Sequence, residues 1–311
     1  MSVHALDCVP DDRGARVPEG ESLLEPLLIA GVPMAHACGG RARCSTCRLR
    51  VEEGMEHFAP REAAESELAQ RLGLTPDIRL ACQAKLRGPA RVRRLVLDRE
   101  DEALVSALGL EGKQESVGEE VELAALFCDI AGFTSLSERL PAYDVVHLLN
   151  RWYARAGEVV ERSGGQINTY IGDGFLALFE PPQERGPAWG AARAALDLVS
   201  AAAELSAYVE SAYCAPFAVR VGAHFGSAVV GPVGVRGQRR RTAIGDTINL
   251  ASRIEAANKQ VGSQVLLSAA LHAQLAGRAQ IGRRQSLELR GKSEPQELIE
   301  LLGLREDSEH S

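Results

Sequence analysis

Apolar and polar positions fall along this chain in two regimes. Near the N-terminus the runs are short. Residues 3–9 and 14–17 read as strands around the turn Asp11-Asp12-Arg13-Gly14, and residues 21–30 as a short helix with Leu23, Leu24, Leu27 and Leu28 apolar. From residue 121 the runs lengthen. An apolar run over 121–128 ends at Asp129 and a Gly-containing turn, which predicts a buried strand with a carboxylate at its tip. The backbone N–H groups that follow lead toward a helix and suit phosphate. Over 142–162, Val145, Leu148, Leu149, Trp152, Tyr153, Ala156 and Val160 recur at helical spacing as a core face, with Pro141 suited to the first turn.

Residues 166–171 and 175–179 read as two strands about Gly172-Asp173-Gly174, a tight hairpin with a carboxylate at its turn. An Ala-rich helix over 187–209 follows, then strands over 217–225 and 228–230. A Gly- and Arg-rich loop or arm is expected over 231–241, a helix over 246–258, and strands over 265–267, 281–289 and 297–301. The order β-α-β-β-α-β is the ferredoxin-like plan, elaborated at its C-terminal end, and the class is α+β.

Length and charge refine this picture. A chain of 311 residues suggests two domains. The expected division is 1–97, an acidic junction 98–120, a second domain 121–303 and a polar tail 304–311. In the junction Asp98, Glu100, Asp101, Glu102, Glu111, Glu115, Glu119 and Glu120 outnumber Arg99 and Lys113, and Leu104, Val105, Leu108 and Leu110 make a brief apolar patch. This reads as a short helix and an exposed hinge, either a passive linker or a transducer. The net charge of −7 gives no case for nucleic-acid binding. The basic run Arg239-Arg240-Arg241 fits a solvated loop or a face toward a triphosphate. No apolar run approaches a membrane span and no signal peptide is evident. Seven cysteines, unevenly clustered, do not form a secreted disulfide framework, so a cytoplasmic, reducing location is the expectation.

The cysteines carry candidate chemistry. Cys38, Cys44 and Cys47 have the spacing C-x₅-C-x₂-C, and Cys82 stands apart as a fourth. Four thiolates hold either Zn²⁺ or an iron–sulfur cluster. Gly39, Gly40 and Ala42 are small enough for the loop backbone to approach sulfur. This segment resembles the [2Fe–2S] ferredoxins of β-grasp fold, over about residues 1–97, and the resemblance implies a [2Fe–2S] cluster on the four cysteines. Zinc is the alternative. Cys8, Cys128 and Cys214 lie in apolar runs and read as small buried hydrophobes.

The second domain carries three ordered motifs, Phe127-Cys128-Asp129-Ile130-Ala131-Gly132-Phe133-Thr134, Tyr170-Ile171-Gly172-Asp173-Gly174-Phe175 and Ile244-Gly245-Asp246-Thr247-Ile248-Asn249-Leu250-Ala251-Ser252-Arg253. Taken singly, Asp129 reads equally as a helix cap and Asp173 as a turn residue. Together the motifs resemble the class III nucleotidyl cyclase domain, over about residues 119–303. The resemblance implies that Asp129 and Asp173 hold two Mg²⁺ (or Mn²⁺) ions with the carbonyl of Ile130, and that Gly132, Phe133, Thr134 and Gly172 lie along the nucleotide. It implies that Asn249 orients the ribose and Arg253 stabilises charge on the transferring phosphorus. Arg290 and Lys292 match a phosphate-binding basic segment.

By offset, the adenine-reading Lys of the family falls on Thr169, a departure, and its Asp or Thr partner falls on Thr242. The expected reaction is ATP to 3′,5′-cyclic AMP and pyrophosphate by a two-metal mechanism. Guanylate or mixed specificity is an alternative, as is an electron carrier with an inactive nucleotide-sensing domain. The family places the two halves of each site on different chains, so a homodimer with shared sites is expected. A redox partner protein and regulation by the cluster are further expectations.

Overall fold

The computed structural model describes residues 2–95, 118–234 and 238–305. Of the helix and hinge expected over 98–120, residues 98–117 lie outside them, as do residues 306–311 of the expected tail. The chain divides into two compact units, which are taken in turn.

In the first unit, β1 (Val3–Val9) and β2 (Arg13–Pro18) form a hairpin with Asp7 opposite Gly14. Helix α1 (Leu24–Ile29) follows, then β3 (Arg48–Glu53), α2 (Ala63–Leu72), β4 (Ile78–Leu80) and β5 (Ala90–Arg94). The sheet order is β2-β1-β5-β3-β4, and β1 runs parallel to β5. This is the β-grasp arrangement. Leu6, Val17, Leu24, Leu27, Leu49, Leu80 and Val92 close one core. The elements β3 to β5 fall in a stretch for which patterning names none, because these strands are short and carry charge at alternate positions such as Arg48, Arg50 and Glu52.

One buried ion pair crosses this unit. Arg79 donates to both carboxylate oxygens of Glu65 at 2.9 and 2.7 Å, and the Leu80 N–H donates to the same carboxylate at 2.8 Å. Arg79 also lies over the Phe58 ring. The pair pins β4, the strand that leads into Cys82.

The second unit opens on β6 (Glu119–Ile130), α3 (Phe133–Arg139) and α4 (Ala142–Arg162). The hairpin β7 (Gln166–Ile171) and β8 (Gly174–Phe179) precedes α5 (Pro187–Tyr213) and the long β9 (Val219–Val233). Then come β10 (Arg240–Ile244), α6 (Asp246–Val261), β11 (Val265–Ser268), α7 (Ala269–Gln274), β12 (Ala279–Leu287) and β13 (Gln296–Leu304). The sheet order is β12-β13-β11-β9-β6-β8-β7, with β10 on β9. The β9-β6-β8-β7 part is the ferredoxin-like plan, and β11 to β13 extend it.

Helices α4 and α5 cover one face, where Leu148, Trp152, Leu198, Leu205 and Phe217 pack with Ala124, Leu126 and Cys128 of β6. On the other face Leu123 and Ala125 of β6 meet Leu176 and Ala251. Burial on both faces is why β6 reads as a continuous apolar run and not as an alternation. Helix α6 sits so close to β9 that a Cβ on Gly222 would come within 2.0 Å of the Glu255 nitrogen.

Several expectations are revised. Both ends of the loop or arm expected over 231–241 are strand, since β9 runs on through Val233 and β10 begins at Arg240. Strands expected separately at 217–225 and 228–230 are one. Helix α3 follows the Asp129 turn as the N–H groups there suggest, but patterning gives it no bounds, because seven residues carry too little periodicity. Cys214 is exposed, not buried, because it ends α5 in a left-handed conformation, φ 49°. Among the described residues no helix is long and apolar enough to cross a membrane.

Candidate active site and cysteine cradle

Asp129 is the penultimate residue of β6, and Asp173 occupies the turn between β7 and β8. Strands β6 and β8 pair with Cys128 opposite Phe175, which brings the two carboxyls into hydrogen-bond contact. Gly174 makes room: a Cβ there would meet the Cys128 carbonyl at 2.8 Å and Asp129 Oδ1 at 3.0 Å. Burial first, then the hydrogen bond and charge of Asp173, push Asp129 up to about 6. Two acids forced together in a half-buried place are costly without a cation. Their all-oxygen character, with the Ile130 carbonyl beside them, suits Mg²⁺ or Mn²⁺.

Patterning reads Tyr153 only as core. Its hydroxyl in fact donates to the Gly172 carbonyl at 2.8 Å and ties the Asp173 turn to α4. Patterning also passes over Glu255. Burial, then the charge of Asp129, raises this carboxyl to about 7, with Arg220 opposing. Glu255 differs from an ordinary exposed helix acid only through its tertiary neighbours, so no sequence signal marks it. Gly132 takes φ +74° at the start of α3; Phe133 is half-buried and Thr134 exposed.

On α6, Asn249 is exposed and Arg253 half-buried, one turn apart on one face. The Arg253 guanidinium lies against Gly291, and its Nη1 is buried without a hydrogen-bond partner. An unspent guanidinium donor of this kind suits an anionic ligand. Lys292 forms an ion pair with Asp246 at the start of α6, whereas Arg290 is exposed. The fold thus brings Asp246, Arg253 and the 289–292 turn together. Among the described residues no hydrogen bond or ion pair joins Asp129 or Asp173 to Asn249 or Arg253. Thr242 donates to Asn168 Oδ1 at 3.0 Å, and Thr169 is not part of that contact.

In the first unit, Cys38, Cys44, Cys47 and Cys82 are free thiols in two pairs. Cys47 donates to Cys82 at 3.5 Å, and Cys44 donates to Cys38. Backbone N–H groups of Arg41, Arg43 and Cys44 point at the Cys38 sulfur, and that of Ala42 points at Cys82. The loop achieves this through left-handed residues at Gly39, Gly40 and Ala42, with φ 64°, 80° and 54°. The Cys44 thiol and these N–H groups hold Cys38 down to about 5, and the Cys47 thiol holds Cys82 down to about 7. Among the described residues no three metal-ligating side chains converge on one point. Two sulfur pairs under a canopy of N–H donors fit a dinuclear cluster, two sulfurs to each iron, better than one tetrahedral zinc.

Comparison with known proteins finds a family match for each unit. Residues 116–300 match the adenylate and guanylate cyclase catalytic domain, and residues 9–87 match the 2Fe-2S iron-sulfur cluster binding domain. An adenylate cyclase of Anabaena cylindrica is 29% identical over 202 residues, 64% of this chain and 40% of that protein. Adenylate cyclase 1 of Rhizobium meliloti is 33% identical over 184 residues, 59% of this chain and 28% of that protein. The chain therefore spans well under half the length of these two relatives. Among solved structures, the guanylyl cyclase Cya2 aligns with a TM-score of 0.57 at 26% identity, covering 62% of this chain and 97% of that one. The adenylyl cyclase CyaB from P. aeruginosa aligns with a TM-score of 0.56 at 26% identity, covering 61% and 97%. Equal likeness to an adenylyl and a guanylyl cyclase leaves the base to be read from the site itself.

Proposed function

Because the chain belongs to the adenylate and guanylate cyclase catalytic domain family, we propose that its second unit converts ATP to 3′,5′-cyclic AMP and pyrophosphate. The observation that carries this reading is the Asp129–Asp173 contact at adjoining strand tips. Divalent ions held by Asp129, Asp173 and the Ile130 carbonyl would supply Lewis-acid activation of the ribose 3′-hydroxyl and neutralise the phosphates. Asn249 orients the ribose so that its 3′-oxygen faces the α-phosphate in line. Arg253 places its unspent guanidinium donor where charge develops on that phosphorus, a contribution of several kcal/mol in a closed site. Lys292, held beside α6 by Asp246, and the exposed Arg290 receive the outer phosphates. Gly132, Phe133 and Thr134 line the phosphate side, and Gly172 shapes the turn that carries Asp173.

The site is shared between two chains of a homodimer. Supporting this, among the described residues no hydrogen bond or ion pair joins the carboxylate pair to Asn249 or Arg253. Tyr170, Ile171 and Ile244 nearby are 52%, 54% and 55% exposed, apolar surface that a second copy would cover. The first unit carries a [2Fe–2S] cluster on Cys38, Cys44, Cys47 and Cys82, in a reducing, cytoplasmic setting. Its redox state, set by a partner protein, modulates the cyclase. In this reading residues 1–97 and 121–303 are the two domains.

The test is turnover of ATP by the full chain with Mg²⁺ or Mn²⁺. Cyclic AMP and pyrophosphate in equal amounts are expected. Absence of any cyclic nucleotide from ATP or GTP would sink the reading. Equal rates for oxidised and reduced protein under anaerobic conditions would remove the regulatory part alone.

A further inference from the structure

The family offset assigns base recognition to Thr169, yet the structure points to its neighbour. Strand β7 carries a bulge: Ile167 pairs with Ala177 and Thr169 with Leu176, so Asn168 is the extra residue, left out of the ladder. Freed in this way, its side chain turns to β10. Asn168 Oδ1 accepts from the Thr242 hydroxyl at 3.0 Å, and Asn168 Nδ2 donates to the Arg241 carbonyl at 2.9 Å. The Arg241 side chain is itself clamped by both oxygens of Glu180 at 2.6 Å, which fixes that stretch of β10. Asn168 and Thr242 are both half-buried.

We propose that Asn168, and not Thr169, is the residue that reads the purine base beside Thr242, and that the pair is set for adenine. The inference rests on the nucleotide-cyclase reading and deepens it. The argument is one of hydrogen-bond polarity. A threonine hydroxyl has one proton, and Thr242 spends it on Asn168, so toward a ligand Thr242 only accepts. An amide nitrogen has two protons, and Asn168 spends one on Arg241, so toward a ligand its Nδ2 still donates. The pair therefore offers an acceptor beside a donor. Adenine presents the complement, an amino donor at position 6 and an acceptor at N1. Guanine reverses both, with an oxygen at position 6 and N1–H. Accepting guanine would require the amide to flip, which would reverse the bond to the Thr242 hydroxyl, set Asn168 Oδ1 against the Arg241 carbonyl and lose the hydrogen bond made there. A built-in hydrogen bond of this kind supports discrimination that shape alone does not. The bulge is invisible to offset counting, because one extra residue moves the reader by one position without changing the motif.

The experiment measures kcat/KM for ATP and GTP, and equilibrium binding of both nucleotides, in the wild type and in Asn168→Ala, Asn168→Asp and Thr169→Ala. The wild type is expected to prefer ATP. Asn168→Ala should lower the ATP-to-GTP ratio at least tenfold. Asn168→Asp keeps the shape, loses the donor, and should move the ratio further toward GTP. Thr169→Ala should move it less than a third as far as Asn168→Ala on a logarithmic scale. Should Asn168→Ala fail to fold, the isosteric Asn168→Asp carries the test. A wild type that prefers GTP, or a ratio that follows Thr169 and ignores Asn168, overturns the inference. Loss of turnover in the wild type with discrimination in binding that Asn168→Ala abolishes would sink the cyclase reading and keep this one.

Discussion

The two sites are built in opposite ways. Three of the four cysteines lie within the ten residues from Cys38 to Cys47, and the loop's own backbone supplies the N–H groups that face their sulfurs. Only Cys82 arrives from elsewhere, held by β4 and the Glu65–Arg79 pair. The carboxylate site has no such loop. Asp129 and Asp173 meet because β6 and β8 pair in one register, and Gly174 permits the contact. The cationic half is carried by α6 and the 289–292 turn, and among the described residues no hydrogen bond or ion pair links it to them. A local site is complete within its unit. A site assembled from a sheet depends on register, and in the reading above on a second chain.

That contrast can be broken most directly at Asp129. Asp129→Asn should lower cyclase activity on the order of 10³-fold, as should Arg253→Ala, since each removes a charge on which the reaction depends. Mixed with free subunit exchange, the two variants should regain roughly a quarter of wild-type activity, because half the dimers are mixed and each has one intact site. Exchange without recovery would mean that the site lies within one chain. The cysteine cradle predicts the opposite behaviour. Cys47→Ser should abolish visible charge-transfer absorption and drop iron well below two per chain, with no rescue by any second variant. Colourless wild-type protein with stoichiometric zinc would show that the paired sulfurs hold a single ion.

The buried ion pair behind the cradle gives a stability test. Glu65→Ala leaves Arg79 buried without its partner, at 2% exposure, and should cost about 3–5 kcal/mol in chemical denaturation of the first unit. A cost under 1 kcal/mol would show that Cys82 is placed by the loop alone. The smallest expected effect lies in the second unit. Burial holds His224 down to about 4, with Asp246 opposing; its Nδ1 is 2.7 Å from the Ser268 hydroxyl and Lys292 also faces it. Its unfolded value is near 6.5, so the unfolded state takes up the proton first as pH falls. The stability of the neutral form is therefore present above about pH 6.5 and is lost as pH falls toward 4, by roughly 2–3 kcal/mol. His224→Asn should flatten that acid limb. An unchanged limb would assign it to other groups.

The sequence by itself marked the four cysteines, the order of the longer elements in the second unit and the three motifs that identify it. Each depends on local chemistry: small residues beside thiols, a continuous apolar strand ending in an acid, a helix with apolar spacing. The tertiary structure alone decided the rest. Glu255 beside Asp129, Tyr153 on the Gly172 carbonyl and Lys292 on Asp246 are meetings of residues far apart in the chain, which no local pattern announces. Asn168 is the sharpest case. Counting residues points to Thr169, but a bulge is a property of two paired strands. It exists only once β7 lies on β8, and it is then that the side chain beside Thr242 is fixed.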